Sequence, residues 1–167
     1  MRIAVRTLST PIGPLEVAAS EHEVVYVEFL RTTRADRAID RWMRGHVLSR
    51  REPPVLRTVL RELREYFAGR RRAFTVPVNP AGSVFQQRVW QVVAAIPFGK
   101  TCTYCEIGEE LGDAKAARAV GAAVAANPIP ILIPCHRVVG ADGSLTGFAA
   151  GLHAKIWLLR HEGVLLA

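Results

Sequence analysis

The sequence predicts an α/β two-domain protein: a small N-terminal α+β domain over residues 1–80, then a mostly helical helix-turn-helix domain over residues 81–167. Three observations predict it. Strand-like alternation is confined to the first 30 residues; from Ser83 onward apolar residues recur mainly at helical spacing; and the proline-bearing run Phe74-Thr75-Val76-Pro77-Val78-Asn79-Pro80, preceded by Arg70-Arg71-Arg72, reads as an extended link between the two patterns.

In order along the chain, Arg2 to Leu8 alternates as a strand. Leu15 to Ala18 offers a second after the Pro11-Ile12-Gly13-Pro14 turn, and Val24 to Leu30 a third, which together suit a small antiparallel sheet. Arg34 to Val47 reads as a helix with Ile39 and Trp42 on its apolar side. Pro54 opens a stronger helix, where Leu56, Leu60, Leu63, Tyr66 and Phe67 share a face and Gly69 marks the end. In the second domain, Ser83 and Gln86 fit a capping box at the start of a helix with Phe85, Val89, Val92 and Ile96 as its stripe, stopped by Pro97-Phe98-Gly99. Thr103 is placed to cap a short helix from Tyr104 to Leu111. Gly112-Asp113 then turns the chain into a helix from Ala114 to Ala126, closed by Asn127-Pro128. Gly140-Ala141-Asp142-Gly143 is a further turn. The last helix runs from Gly151 to His161, with Leu152, Ile156 and Leu159 on one face and Gly163 beyond its end.

Composition narrows the function classes. Half of the 167 residues are apolar, which argues for a folded chain, and no stretch of 18 apolar residues or signal-peptide core occurs, so a soluble cytoplasmic protein is expected. The net charge of +7 is uneven: residues 1–82 hold 15 arginines, no lysine and 9 acidic residues, whereas residues 83–167 are nearly balanced. Such a field favours a polyanion, although an arginine-rich solvated surface carries the same charge. The three cysteines, Cys102, Cys105 and Cys135, are too few and too clustered for a disulfide framework.

Chemistry concentrates in Ile133-Pro134-Cys135-His136-Arg137-Val138-Val139. A cysteine becomes a nucleophile when a base or positive charge stands near it, and Glu162 is placed to orient the imidazole as a third member. Neighbours in extended chain point to opposite faces, so a direct partnership of Cys135 with His136 requires a turn or a relay. A buried structural thiol and a metal ligand are the competing readings. Cys102-Thr103-Tyr104-Cys105 lacks the strand context of a redox pair and the further ligands of a zinc site, so neither metal nor cofactor is expected. The helix from Ala114 is nearly bare alanine, with Arg118 as its single long side chain past the first turn. A lone guanidinium there suits phosphate or base contact, or a wedge into a stack, while the alanines suit close packing on the protein's own core equally well.

Ordered blocks join these features: Gly82 to Trp90, Ile96 to Thr101 with Thr103-Tyr104, Arg118 to Gly121, Asn127 to Pro130, Ile133 to Val138, Leu145 to Phe148, and Gly151-Leu152 with Lys155 and Glu162-Gly163. They resemble the O6-alkylguanine-DNA alkyltransferases, strongly over residues 82–163 and, before that, mainly in length and layout. The resemblance implies a ribonuclease H-like first domain and a DNA-binding, catalytic second one. It implies single-use repair, in which Cys135 takes an alkyl group from O6 of guanine, or O4 of thymine, in a base turned out of the duplex. His136 is then the base acting through a water, Glu162 its orienting partner, and Asn127 the support of their turn. Tyr104 helps rotate the nucleotide and donates to purine N3, Arg118 fills the vacated space, and Phe148 walls the pocket. Thr103, Ala117, Ala119 and Arg137 complete the expected DNA contacts. The implied partner is double-stranded DNA containing alkylated guanine, met by a monomer able to bind cooperatively, with no small-molecule cofactor, metal or membrane. A non-catalytic reader of alkylated bases is the alternative, and a cysteine hydrolase a more distant one. Three departures stand out: Cys105, Gly108 and Ala150. Helix propensity makes Gly108 a cost relative to alanine, and Ala150 is expected to narrow the pocket.

Overall fold

The computed structural model describes residues 1–30 and 38–165, which divide into two compact units at Pro80 and Ala81. In the first unit, β1 (Arg2–Leu8), β2 (Leu15–Ala19) and β3 (Val24–Phe29) form the antiparallel meander that their alternation predicts, with Val5 opposite Ala18 and Val17 opposite Val27. One face buries Ile3, Ala18 and Val25 against Ile39 of α1 (Ala38–Met43), flanked by Tyr26 and Trp42. The helix expected over residues 34–47 is shorter at its end. Its beginning falls outside the described residues, and past Met43 the chain turns into β4 (Val47–Leu48), which pairs parallel with β1. Both β4 side chains are exposed, so this strand exists by backbone bonds alone and leaves no apolar signature.

The helix α2 (Pro54–Phe67) buries Leu56, Val59, Leu60, Leu63 and Tyr66, together with the carboxylate of Glu62. Glu62 accepts from the Thr75 amide at 2.9 Å and from the Thr75 hydroxyl, and Arg71 stands 3.5 Å away. The run expected as a link is therefore fastened to the first unit. Val78 bridges Val24, with the Val24 amide donating to Pro77 and the Asn79 amide to Val24, each at 2.9 Å.

The second unit begins with the predicted capping box. Ser83 accepts from the Gln86 amide, and the Gln86 side chain answers to the Ser83 amide at 2.8 Å, starting α3 (Val84–Ala94). Its buried face is rotated from the expected stripe: Val89, Trp90 and Val93 lie inside, whereas Phe85 is on the rim. Trp90 turns the helix inward because its indole donates to the Ala123 carbonyl at 2.8 Å, tying α3 to α5 (Ala117–Ala125). Between them, β5 (Cys102–Thr103) leads into α4 (Tyr104–Glu110), whose N-terminus is closed by a second capping box, Thr103 with Glu106. Asp113 caps a 3-10 turn over Ala114–Ala116 before α5 begins, so the α-helix starts three residues later than expected. β5 pairs parallel with β6 (Val138–Val139), and α6 (Leu152–His161) closes the unit. Its buried residues are Ala154, Lys155, Leu158 and Leu159, with Leu152 exposed, again a rotation of the expected face.

Gly108 is corrected by packing. A Cβ there would stand 2.7 Å from the Asp113 carbonyl oxygen, whose residue returns an amide bond of 2.9 Å to the Gly108 carbonyl. The turn joining α4 to α5 can be this tight only without a side chain at 108, and this backbone approach outweighs the propensity gain that alanine would bring.

Candidate functional site

The chemistry is assembled on a one-turn 3-10 helix over Cys135–Arg137. Pro134 leads into it, the Cys135 amide bonds back to Ile133 at 2.8 Å, and the Arg137 amide to Pro134 at 2.9 Å. Three residues per turn send successive side chains about 120° apart. This is the turn that adjacency alone required. Cys135 faces a cleft, while His136 and Arg137 reach Glu162, the residue that follows α6.

Beneath the cleft, Arg137 holds the Glu162 carboxylate with two bonds of 2.9 Å, one to each oxygen, and gives a third, of 2.6 Å, to the Ile96 carbonyl. His136 Nε2 lies 2.7 Å from Glu162 Oε1. All three side chains are buried. A carboxylate gripped by a guanidinium is an acceptor, so Nε2 carries the imidazole proton and Nδ1 keeps its lone pair. Nδ1 is buried and meets no hydrogen-bond partner among the described residues, which makes it the nitrogen available as a base. Burial pushes the imidazole below its usual 6.5, with Glu162 opposing and the charges of Arg137 and Lys155 assisting. Gly99, at φ 78°, offers its amide to Glu162 Oε2 at 3.5 Å, and a Cβ there would press on the Glu162 carbonyl at 3.2 Å.

Cys135 is 8% exposed. Burial pushes its thiol up, while Asn127 and the charge of Lys155 pull the other way, so the shifts of Cys135 and His136 both favour the neutral forms. Asn127 stitches the preceding loop, donating to the Ile133 carbonyl at 2.9 Å and accepting from the Ile129 amide at 3.0 Å. That loop carries Ile131 at φ 74°, a left-handed conformation costing a β-branched residue about 1–3 kcal/mol and sustained by the packing around it.

The cleft above has a volume of about 370 Å³. Tyr104, Gly121 and Val124 line it together with Thr146, Phe148 and Ala149. Of the expected site residues, the fold brings Cys135, His136, Glu162, Asn127, Tyr104 and Phe148 together. Arg118 and Ala119 lie exposed on α5 with Ala117 half-buried, and Arg118 has no hydrogen bond or ion pair among the described residues. Thr103 accepts from the Glu106 amide as the α4 cap. Two expectations need revision. Arg137 is buried, with its guanidinium turned inward onto Glu162 and Ile96. Ala150, moreover, is not among the cleft-lining residues, and the position that touches the cleft is Ala149.

Sequence reasoning missed Lys155 as a working part. It is fully buried, and its ammonium donates to the Val138 carbonyl at 2.6 Å and the Thr146 carbonyl at 3.0 Å. The signal was its spacing: Lys155 precedes Glu162 by two helical turns, which puts both on the inward face. Thr146, whose hydroxyl lies 2.8 Å from that of Tyr104, left no comparable signal.

Two family models match the chain. One, described as the 6-O-methylguanine DNA methyltransferase DNA binding domain, covers residues 84–164, and the other, the ribonuclease-like domain of the same methyltransferase, covers residues 3–80. The methylated-DNA–protein-cysteine methyltransferase of Methanosarcina acetivorans is 42% identical over 154 residues, spanning 92% of this chain and 94% of the relative. That of Shigella flexneri is 40% identical over 171 residues, spanning 99% of each. Among solved structures, the O6-methylguanine methyltransferase of Mycobacterium tuberculosis superimposes with a TM-score of 0.83 at 38% identity, over 96% of this chain and 92% of the other. The M. tuberculosis OGT in complex with DNA gives the same TM-score and identity over 96% and 93%.

Proposed function

The chain belongs to the 6-O-methylguanine DNA methyltransferase family, and from that premise we propose that Cys135 is its alkyl acceptor, His136 and Glu162 its proton-handling pair, and Asn127 the support of the acceptor's turn. The protein acts on DNA and repairs it by direct reversal, moving a methyl group from O6-alkylguanine to a cysteine in a suicide transfer. The observation that carries the residue assignment is the thiol at the foot of the cleft, next to a histidine whose far nitrogen is locked on Glu162.

In this reading the alkylated base leaves the stack, at a cost of a few kcal/mol, because only then can sulfur align behind the carbon. Arg118, projecting from the alanine surface of α5 with Ala117 and Ala119 beside it, occupies the space left in the duplex. His136 Nδ1 takes the thiol proton through a water. Sulfur then bonds to carbon as the carbon–O6 bond breaks, its electron pair passing to the purine. Tyr104 meets that charge with a hydrogen bond at N3, the kind of preorganised donor that lowers such barriers, and the proton returns to the guanine. Thiol and alkylguanine become thioether and guanine, and the balance needs no further reactant. Phe148 closes the cleft wall. O4-alkylthymine presents a similar carbon and belongs to the same proposal, as do a cytoplasmic setting and a monomeric working form.

Incubating wild-type protein and Cys135→Ala with a duplex carrying labelled O6-methylguanine tests the assignment. One label per wild-type molecule and none on the variant is expected. Label on another residue, or released to solvent, would overturn it.

A further inference from the structure

The phenol of Tyr104 is not loose in the cleft. Its oxygen lies 2.8 Å from Thr146 Oγ1, so a hydroxyl pair joins the first residue of α4 to the loop before α6. Both residues line the cleft, so the pair lies at its surface. Thr146 is in turn held from behind, because the buried Lys155 ammonium donates to its carbonyl at 3.0 Å and to that of Val138 at 2.6 Å. Val138 directly follows the turn that carries Cys135. A run of contacts therefore leads from the sulfur's own segment, through Lys155 and Thr146, to the Tyr104 phenol in the cleft lining.

A hydroxyl has one proton to give and two lone pairs to receive with. Were Tyr104 to donate to Thr146, its single proton would be consumed before a purine arrived. With Thr146 as donor, the phenol proton stays free for the cleft, and accepting a bond makes that phenol a stronger donor. The threonine suits this use because its branched side chain has few χ1 choices and its backbone is fixed by Lys155.

We propose that Thr146 is a positioning residue for the transfer: its hydroxyl donates to Tyr104 and directs the phenol proton at the turned-out base, while its Lys155-bound carbonyl sets that phenol's place relative to sulfur. This rests on the reading that Tyr104 meets the purine. Thr146 itself touches neither the reacting carbon nor the sulfur.

Thr146→Val and Thr146→Ser, each in wild-type and Tyr104→Phe backgrounds, test it in single-turnover reactions with protein in excess over an O6-methylguanine duplex, which separate the limiting rate from half-saturation. Thr146→Val should slow the limiting rate on the order of tenfold, the loss of about one hydrogen bond, and leave half-saturation unchanged. Thr146→Ser should restore the rate to within about twofold, and valine should add nothing once Tyr104 is phenylalanine, as residues acting through one group require. A wild-type rate in Thr146→Val, a serine variant as slow as valine, or the same valine effect without the phenol would each overturn the proposal. Melting curves accompany every variant, and serine, which keeps the hydroxyl, decides the matter should valine lower stability. Tyr104→Phe alone shows whether the premise holds: an undiminished rate there removes the premise and this proposal together, whereas a slow Tyr104→Phe leaves the valine and serine results to judge Thr146 alone.

Discussion

The buried Arg137–Glu162–His136 cluster next to Cys135, the floor of the site, and the outer face of α5 each hold one arginine of a motif-like block, and the fold uses them in opposite ways. Arg137 is 6% exposed, with bonds to both oxygens of Glu162 and to the Ile96 carbonyl; Arg118 is exposed on a helix of small residues and has no partner among the described residues. On the floor each charge is answered inside the fold, Arg137 by Glu162 and Glu162 by Arg137 and His136. The outer face leaves its charge without a partner among the described residues, as the proposed role of Arg118 requires. The contrast teaches that a site which consumes itself in one reaction can divide its labour between a fixed chemical centre and a free recognition surface.

The sharpest way to break this contrast is Arg137→Ala. Removing one partner of a buried ion pair leaves Glu162 uncompensated, so thermal or denaturant unfolding should show a loss of about 3–5 kcal/mol, and reaction with free O6-benzylguanine should fall along with duplex repair. A variant as stable as wild type would mean that the floor is not held by charge. A smaller effect comes from pH. Burial keeps His136 below 6.5 in the folded protein, so under 6.5 the unfolded chain binds the proton that the fold refuses. Stability contributed this way is complete above 6.5 and declines as pH falls through the window below it. Transfer to sulfur should meanwhile stay level down through 6.5, because the neutral imidazole persists. Melting temperatures and single-turnover rates between pH 8 and 5 check both. The smallest expected change in stability belongs to Arg118→Ala, within about 0.5 kcal/mol of wild type by unfolding, with duplex repair slowed on the order of tenfold and free benzylguanine unaffected. Equal losses on both substrates would erase the distinction between floor and face.

How much could be read beforehand follows the physics of each signal. β1, α2, the Ser83–Gln86 capping box and the Thr103 cap were legible because a period or a capping side chain announces them, whereas the Glu106 half of the second box was found only in the fold. β4, β5 and β6 are two residues long and are made by backbone bonds whose partners lie far along the chain, so no local pattern betrays them. The faces of α3 and α6 were misjudged by a fraction of a turn, since Trp90 and Lys155 face inward for a hydrogen bond that a hydrophobicity pattern does not count. Cys135, His136, Glu162, Asn127, Tyr104 and Phe148 could be named from their blocks. Their division into roles could not: Arg137 and Arg118 are the same residue type, and only the Glu162 carboxylate, brought in from 25 positions away, separates them. Gly108 taught the reverse lesson, because propensity judged it alone and the Asp113 carbonyl judges it in place.

The burial of Cys135 has one more consequence. A protein consumed by its first lesion has a storage problem, for any oxidant or stray electrophile that reached the sulfur earlier would spend it for nothing. Such reagents act on accessible thiolates. Cys135, the proposed acceptor, is buried at the lining of the cleft, and that burial pushes its thiol up, toward the protonated form. Cys102, on the strand paired with the one that follows the acceptor's turn, is likewise pushed up, to about 11. On the proposed assignment, burial thus preserves the acceptor in its unused form until a base delivered into the cleft brings the carbon that ends its shelf life.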